Sequence, residues 1–177
     1  MTADNDRFEA ARSADSHDVE LLVSIARSHG EAIAGARGAD LLLRRELVFT
    51  TEQLRQAFVD ALASPDHCLV AGTYDDVVFG YGLVRYESLA DGARLARLEQ
   101  FVVDAEARQV GIGEAMMRYL LDEAIGRGCI GIDSIALPGD RATKNFFESF
   151  GLKARQLVVH RSLRPPDGAV DPPPDRG

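Results

Sequence analysis

The segment Ala107–Met117, ARQVGIGEAMM, places two glycines one residue apart, behind an arginine and directly before an apolar helical pattern. A strand that turns through glycine into a helix leaves backbone N–H groups unpaired, and no Cβ holds a ligand away from them. The positive end of the helix dipole lies there too, so a phosphate can bind, and Arg108 would add a formal charge. A G-x-G pair is also common in ordinary turns, so this stretch alone leaves a phosphate site and a plain turn as equal alternatives.

Two familiar phosphate-binding loops do not fit the segment. A P-loop needs lysine and then serine or threonine after its second glycine, whereas Glu114 and Ala115 follow Gly113. The dinucleotide fingerprint needs a third glycine, where this chain has Met116, and a preceding parallel strand. The strands before this point are predicted to form hairpins, so neither motif explains the glycines.

The surrounding hydrophobic pattern predicts one α/β (α+β) domain with a mixed, mostly antiparallel sheet flanked by helices. The predicted strands are 7–14, 67–74, 77–87, 94–103, 129–138 and 152–163. The predicted helices are 19–30, 51–62, 111–127 and 141–150, with a loop containing some helix over 30–49. Residues 1–163 are expected to form the domain, and the proline-rich tail 164–177 to be disordered.

Composition and charge exclude several classes of protein. The 177 residues carry a net charge of −8, with 46% hydrophobic and 27% charged residues, which suits a globular protein and disfavours a nucleic-acid binder. Cys68 and Cys129 lack the spacing of a metal site or a disulfide framework, so no metal is predicted. No signal peptide or membrane-length apolar run is found, so we expect a cytoplasmic protein without a membrane partner.

The stretch LEQFVVDAEARQVGIGEAMM, residues 98–117, resembles the acetyl-CoA-binding motif of the GNAT superfamily of N-acetyltransferases. Arg108, Gly111 and Gly113 occupy the fixed positions of the family's R/Q-x-x-G-x-G/A loop, while Ala105 stands where proline is frequent. The later DRATKNFFESFGL, residues 140–152, is similar to the family's next helix. The likeness covers most of residues 8–163 in element order and about 98–152 in recognisable sequence.

This resemblance implies an acetyl-CoA-dependent N-acetyltransferase that moves the acetyl group from the thioester to a primary amine by direct attack in a ternary complex. The acceptor would be a small molecule or a peptide amine, and no metal takes part. The strand backbone would pair with the pantetheine arm, and the loop would hold the pyrophosphate. The implied cofactor-binding residues are Phe101, Val102, Val103, Arg108, Gln109, Val110, Gly111, Ile112, Gly113 and Glu114, together with Asp140 and Phe147.

Glu99 is the predicted catalytic residue. Strand alternation places it on one face with Leu95, Arg97, Phe101 and Val103, where a carboxylate is unusual. In similar acetyltransferases a glutamate at this position removes the proton of the amine, often through water. The structural alternative is an ion pair between Glu99 and Arg97, two residues away on the same face.

The chain departs from the family at the positions that handle the leaving thiolate. Phe147 stands where many relatives have a proton-donating tyrosine, and Asp140 replaces a common asparagine and is also a good helix N-cap. The substitute acids are Tyr81, Tyr86, Tyr119, His160 or water, whereas His17, His29 and His67 show no recognisable constellation.

The acceptor is expected to bind between residues 30–50, including Arg44 and Arg45, and the sheet. Many relatives have a hairpin after the glycine at 151, where one strand is predicted here, so this wall of the acceptor site is expected either to be short or to be completed by the second subunit of a homodimer. Two other classes stay open at this point: an acyl-CoA-binding sensor or partner module with little turnover, and a domain whose glycines only turn the chain.

Overall fold

The computed structural model describes residues 8–43, 50–161 and 163. Five strands form one sheet in the order β1-β2-β3-β4-β5, in which only the β4–β5 pair is parallel. The predicted fold class, a mixed and mostly antiparallel sheet flanked by helices, is confirmed. The strands are β1 (Glu9–Ser13), β2 (His67–Tyr74), β3 (Val77–Ser88), β4 (Arg94–Val103) and β5 (Cys129–Asp133).

The helices cover both faces of this sheet. Helices α1 and α3 pack on one face, and α4 packs on the other against β1, β2, β3 and β5. Their bounds are α1 (Val19–Ile33), α2 (Ala39–Leu42), α3 (Thr51–Ala63), α4 (Ile112–Gly126) and α5 (Arg141–Ser149). Arg44, Arg45 and the tail from 164 lie outside the described residues, so the predictions made for them stay untested.

Local signals that the sequence carries explain several boundaries. Thr50 and Gln53 form a capping box that starts α3, since each side chain bonds the other residue's backbone N–H. Asp75 and Asp76 both have positive φ, 50° and 62°, which is the conformation of a tight hairpin turn between β2 and β3. Both boundaries agree with the prediction.

Two predicted boundaries and one predicted strand are wrong. Helix α1 continues three residues past Gly30, because a glycine inside a helix weakens it by only about 1 kcal/mol and does not end it. Strand β5 ends at Asp133 instead of 138, because its pairing with β4 stops there. Residues 152–161 form no strand, because no described strand bonds to them, and their side chains Leu157, Val158 and Val159 are 84%, 78% and 84% exposed.

A β-bulge in β4 separates the strand into two halves. The register moves from Val84↔Leu98 to Leu83↔Gln100, so Glu99 is the extra residue. Before the bulge, Leu98 packs in the core beneath α4; after it, Phe101 packs there and Val102 belongs to the core beneath α1 and α3. The bulge therefore places Glu99 at the point where β4 turns away from β5.

Candidate active site

The loop between β4 and α4 is shaped by two residues with positive φ. A single 3₁₀ turn, Ala105–Ala107, follows β4, and the chain then passes through Gln109 at φ 71° and Gly111 at φ 92°. The first hydrogen bond of α4 runs from the Ala115 N–H to the Gly111 carbonyl, and no side chain caps the helix. The N–H groups ahead of Ala115 thus have no partner within the helix.

The structure requires glycine at one of the two loop positions. A Cβ on Gly111 would lie 2.9 Å from Cγ of Glu9, and the φ of +92° at Gly111 also disfavours any other residue. A Cβ on Gly113 would lie 3.4 Å from the ring of Phe146 on α5, which is an ordinary van der Waals contact. Gly111 therefore does more than turn the chain, since it keeps β1 close to the helix start.

The second half of β4 has an open edge. Pairing with β5 extends only to Arg97↔Asp133, and Ser134 Oγ then donates a 3.4 Å hydrogen bond to the Leu98 carbonyl. Among the described strands, residues 101–103 pair with β3 alone. Backbone groups of this stretch that point away from β3 are available to an extended ligand, as at the edge of any sheet.

A cavity of about 120 Å³ lies where β4 and β5 separate. It is lined from α1, α2, β3, β4, the segment after β5 and α5. A wider groove of about 400 Å³ between α1 and α3 contains none of the predicted site residues. Among the cavity's lining residues are His29, Ile33, Leu42, Tyr81, Glu99, Gln100, Phe101, Val102, Ser134, Asp140, Thr143 and Phe147.

Glu99 lines the cavity, but its neighbours differ from those predicted. Its Oε1 accepts a 2.8 Å hydrogen bond from Nε of Arg85 on β3, and Arg85 also lies 3.3 Å from Glu87. These two carboxylates raise the pKa of Arg85, with the bond to Glu99 as the main cause. The ion pair with Arg97, the structural alternative to a catalytic role, is not formed, and Arg85 on the neighbouring strand is the partner of Glu99 instead.

The predicted shared face of Glu99, Phe101 and Val103 is also wrong. Phe101 and Val103 pack with the α4 core, whereas Glu99 reaches Arg85 on the side of α1 and α3. Simple alternation assumes an unbroken strand, and the extra residue of the bulge shifts it by one.

Of the tyrosines considered as substitute acids, Tyr81 lines the cavity. It is fully buried, and its hydroxyl donates a 2.7 Å hydrogen bond to Oε1 of Gln100. Burial raises the pKa of Tyr81 well above its usual range, so its proton is held firmly. Tyr86, which lies beneath Arg127 at 4.4 Å, and Tyr119 on α4 are not among the lining residues of the cavity.

Phe147 and Asp140, which stand at the positions of the tyrosine and the asparagine expected from the resemblance, lie in the cavity wall. Phe147 is 7% exposed, and its ring packs 6.2 Å from that of Phe101. Asp140 caps α5, because its carboxylate accepts the Thr143 N–H at 3.0 Å and the Thr143 hydroxyl at 2.7 Å. These bonds, the backbone N–H first, hold the pKa of Asp140 below its usual value.

Sequence reasoning missed His29 as a cavity residue. It lies on α1 and, with Ile33, forms part of the wall opposite β4. Burial is the main cause that lowers the pKa of His29, Arg108 lowers it further, and Asp140 opposes them. His160, the histidine that the sequence favoured, lies in the exposed segment 152–161.

No described group of three His, Cys, Asp or Glu residues is close enough to hold a metal ion. Among the described helices, none has the length and apolar character needed to cross a membrane.

Comparison with known proteins decides the family. The model of the Acetyltransferase (GNAT) family matches residues 39–152, which is more than half of the chain. The chain belongs to the GNAT family. The resemblance read from Arg108, Gly111 and Gly113 is thereby confirmed, as is the assignment to a family of acyltransferases.

Individual proteins resemble this chain in sequence or in fold. Glucosamine 6-phosphate N-acetyltransferase 1 from Oryza sativa subsp. japonica is 35% identical over 85 residues, which cover 45% of this chain and 52% of that protein. The chain thus spans about half the length of this curated relative. Glucosamine-6-phosphate N-acetyltransferase from Arabidopsis thaliana has a TM-score of 0.63 at 16% identity, covering 88% of this chain and 99% of that one. A predicted acetyltransferase with acetyl-CoA from Clostridium acetobutylicum reaches 0.68 at 16% identity, covering 88% and 96%.

Proposed function

We propose that this protein is an N-acetyltransferase that transfers the acetyl group of acetyl-CoA to a primary amine by direct attack in a ternary complex. The observation that carries the proposal is the continuous path formed by three features. Unpaired N–H groups at the start of α4 lead to the open edge of β4, and that edge leads to the cavity beside Glu99. Membership of the GNAT family and the neighbour with acetyl-CoA support this choice of cosubstrate.

The proposed cofactor-binding site uses main-chain groups more than side chains. The pyrophosphate lies on the N–H groups of residues 109–114, where the dipole of α4 favours an anion and Arg108 adds charge. The pantetheine arm lies along residues 101–103 as an added strand. Side chains of Phe147 and Asp140 border the same path. Because the cavity is smaller than the roughly 300–1,000 Å³ of whole-ligand sites, it suits the thioester and the amine alone.

Glu99 is the proposed catalytic carboxylate. It faces the cavity, and Arg85 fixes one of its oxygens while leaving the other for the ammonium group of the acceptor. Holding the amine beside the thioester supplies the proximity that accounts for much of the rate of such reactions. A free N–H at the open edge of β4 would stabilise the oxyanion that forms on the thioester carbonyl.

A second candidate is an acyl-CoA-binding module with little turnover. The observation that favours it is Phe147, which lies in the cavity wall but has no proton for the departing thiolate. The departing thiolate would then have to take its proton from another source.

The two candidates are separated by measuring thiol release from acetyl-CoA with a broad panel of primary amines, followed by mass spectrometry of the products. The enzyme proposal predicts release that depends on the amine and an acceptor that gains one acetyl group. Acetyl-CoA binding in a calorimeter without acceptor-dependent release across the panel would favour the binding module instead.

A further inference from the structure

The titratable groups of the cavity differ in how far their hydrogen-bonding atoms are occupied. Tyr81 donates to Gln100, one oxygen of Glu99 accepts from Arg85, and Asp140 accepts two bonds from Thr143. His29 forms no hydrogen bond with any residue that the structure describes. Among these four groups, His29 alone has no hydrogen-bonding atom paired with a residue that the structure describes.

The surroundings of His29 keep it unprotonated near neutral pH. Its half-buried ring disfavours a charge, and the guanidinium of Arg108 repels one, while the carboxylate of Asp140 opposes both effects less strongly. Glu99 on β4 and the phenol of Tyr81 on β3 face the same cavity. A neutral imidazole next to bound substrate is the form that accepts a proton, and histidine is the side chain most often used in this way.

We infer that His29 is the general base that takes the proton from the acceptor's ammonium group. The inference rests on the proposed acetyl transfer and adds a residue to it. The ammonium, held by Glu99, gives one proton to a ring nitrogen of His29 and becomes the neutral amine. Its lone pair then forms the C–N bond, the C–S bond breaks, and the second amine proton passes to the coenzyme A thiolate. The imidazolium returns its proton to solvent.

Cofactor binding should strengthen this base. A pyrophosphate on the loop neutralises Arg108, and the effect of Arg108 is one of the two that disfavour the charged imidazole. The pKa of His29 should therefore rise when acetyl-CoA or coenzyme A binds, before any amine is present. This shift tests the position of His29 near the bound cofactor, whereas the acid limb of kcat tests its role as the base.

The test compares His29→Gln with His17→Gln, whose imidazole is 92% exposed and lies outside the cavity. With an acceptor of the wild-type protein, kcat should fall at acid pH as His29 becomes protonated. In His29→Gln this acid limb should disappear, with kcat reduced at least about tenfold and little change in the KM for acetyl-CoA. The His17→Gln profile should match that of the wild type.

Two results would overturn the inference. The first is a His29→Gln protein that keeps the wild-type kcat and acid limb; the second is an acid limb that disappears in Glu99→Gln but persists in His29→Gln. A wild-type protein that acetylates no amine would instead count against the proposed function. If His29→Gln does not fold, NMR titration of the wild-type imidazoles decides, with His29 assigned by elimination using His17, His67 and His160 variants. A His29 pKa that does not move when coenzyme A binds would then contradict the inference.

Discussion

Arg85 and Glu99 are joined across the bulge of β4 by a 2.8 Å hydrogen bond, whereas Arg97, two residues from Glu99 on the same strand, forms no ion pair among the described residues. This pair fixes the carboxylate where the cavity begins. We therefore expect Arg85→Gln to raise the KM for the amine several-fold, because Glu99 loses the partner that orients it, while the KM for acetyl-CoA stays unchanged. Steady-state kinetics with each substrate varied in turn gives both values.

Arg97→Gln is the matched control for this prediction. It removes the same charge from the strand that carries Glu99 without touching the hydrogen bond, so its KM values should equal those of the wild type. Equal effects of Arg85→Gln and Arg97→Gln would show that overall charge matters and that the observed pairing does not.

Gly111→Ala should weaken acetyl-CoA binding strongly. An alanine at this position would have the unfavourable φ of +92°, and its Cβ would lie 2.9 Å from Cγ of Glu9. The loop must therefore move away from the start of α4. Gly92→Ala has a similar φ of +83° but open space around it, and should lower the free energy of unfolding by about 1–3 kcal/mol without changing binding. Calorimetric titration with acetyl-CoA and urea unfolding separate the two effects.

The double variant Gly111→Ala/Glu9→Ala removes the clash with the Glu9 side chain and should recover part of the affinity for acetyl-CoA. No recovery would refute the role given to Glu9.

Phe147→Tyr should raise kcat by up to about tenfold, because a phenol in the cavity wall can protonate the departing thiolate. The KM for acetyl-CoA should change less than twofold. Phe146→Tyr serves as the control, since the Phe146 ring lies against Gly113 and is not among the residues that line the cavity. An unchanged kcat in Phe147→Tyr would show that thiolate protonation does not limit the rate.

The Arg12–Asp18 pair should make stability depend on pH in the acid range. Asp18 accepts two 2.7 Å hydrogen bonds from Arg12. Hydrogen bonding to Arg12 is the main cause that holds the pKa of Asp18 below its usual value. A lowered carboxyl pKa stabilises the folded state above the unfolded value of about 3.9, and this contribution is lost as the pH falls through the folded value. Asp18→Asn should thus cost about 1–2 kcal/mol at pH 7, since Arg12 is half exposed, and progressively less below pH 4.

Urea unfolding of Asp18→Asn and the wild type from pH 7 to pH 2 measures this difference. Asp122→Asn, at an exposed position of α4, should leave the unfolding free energy nearly constant relative to the wild type over the same range. A cost for Asp18→Asn that does not shrink in acid would contradict the pairing as its cause.

The sequence predicted the bounds of β4 and the loop at Arg108–Gly113 well, because local rules determine both. Alternating apolar residues describe the strand, and glycines at positive φ mark the turn. The bulge at Glu99 could not be predicted in this way, since an extra residue is defined only by pairing with β3. Local patterns also could not identify Arg85 as the partner of Glu99, because Arg85 lies fourteen residues earlier on a neighbouring strand.

The sequence indicates that His29 faces the sheet but not that it lines the cavity. It continues the helical stripe of Leu22 and Ala26 towards Ile33, so it had to face the sheet. Which part of the sheet it faces depends on the packing of α1 over β4, which no local pattern encodes. The segment 152–161 shows the opposite case, because its apolar residues have strand propensity but no described strand to pair with.

Backbone amide shifts of the ¹⁵N-labelled protein, mapped by NMR as acetyl-CoA is added, test the proposed path of the cofactor. We expect the largest changes at the N–H groups of residues 109–114 and 101–103, with smaller changes at Phe147 and Asp140 around the cavity. Changes centred on the groove between α1 and α3, or no changes at a saturating concentration, would contradict this path.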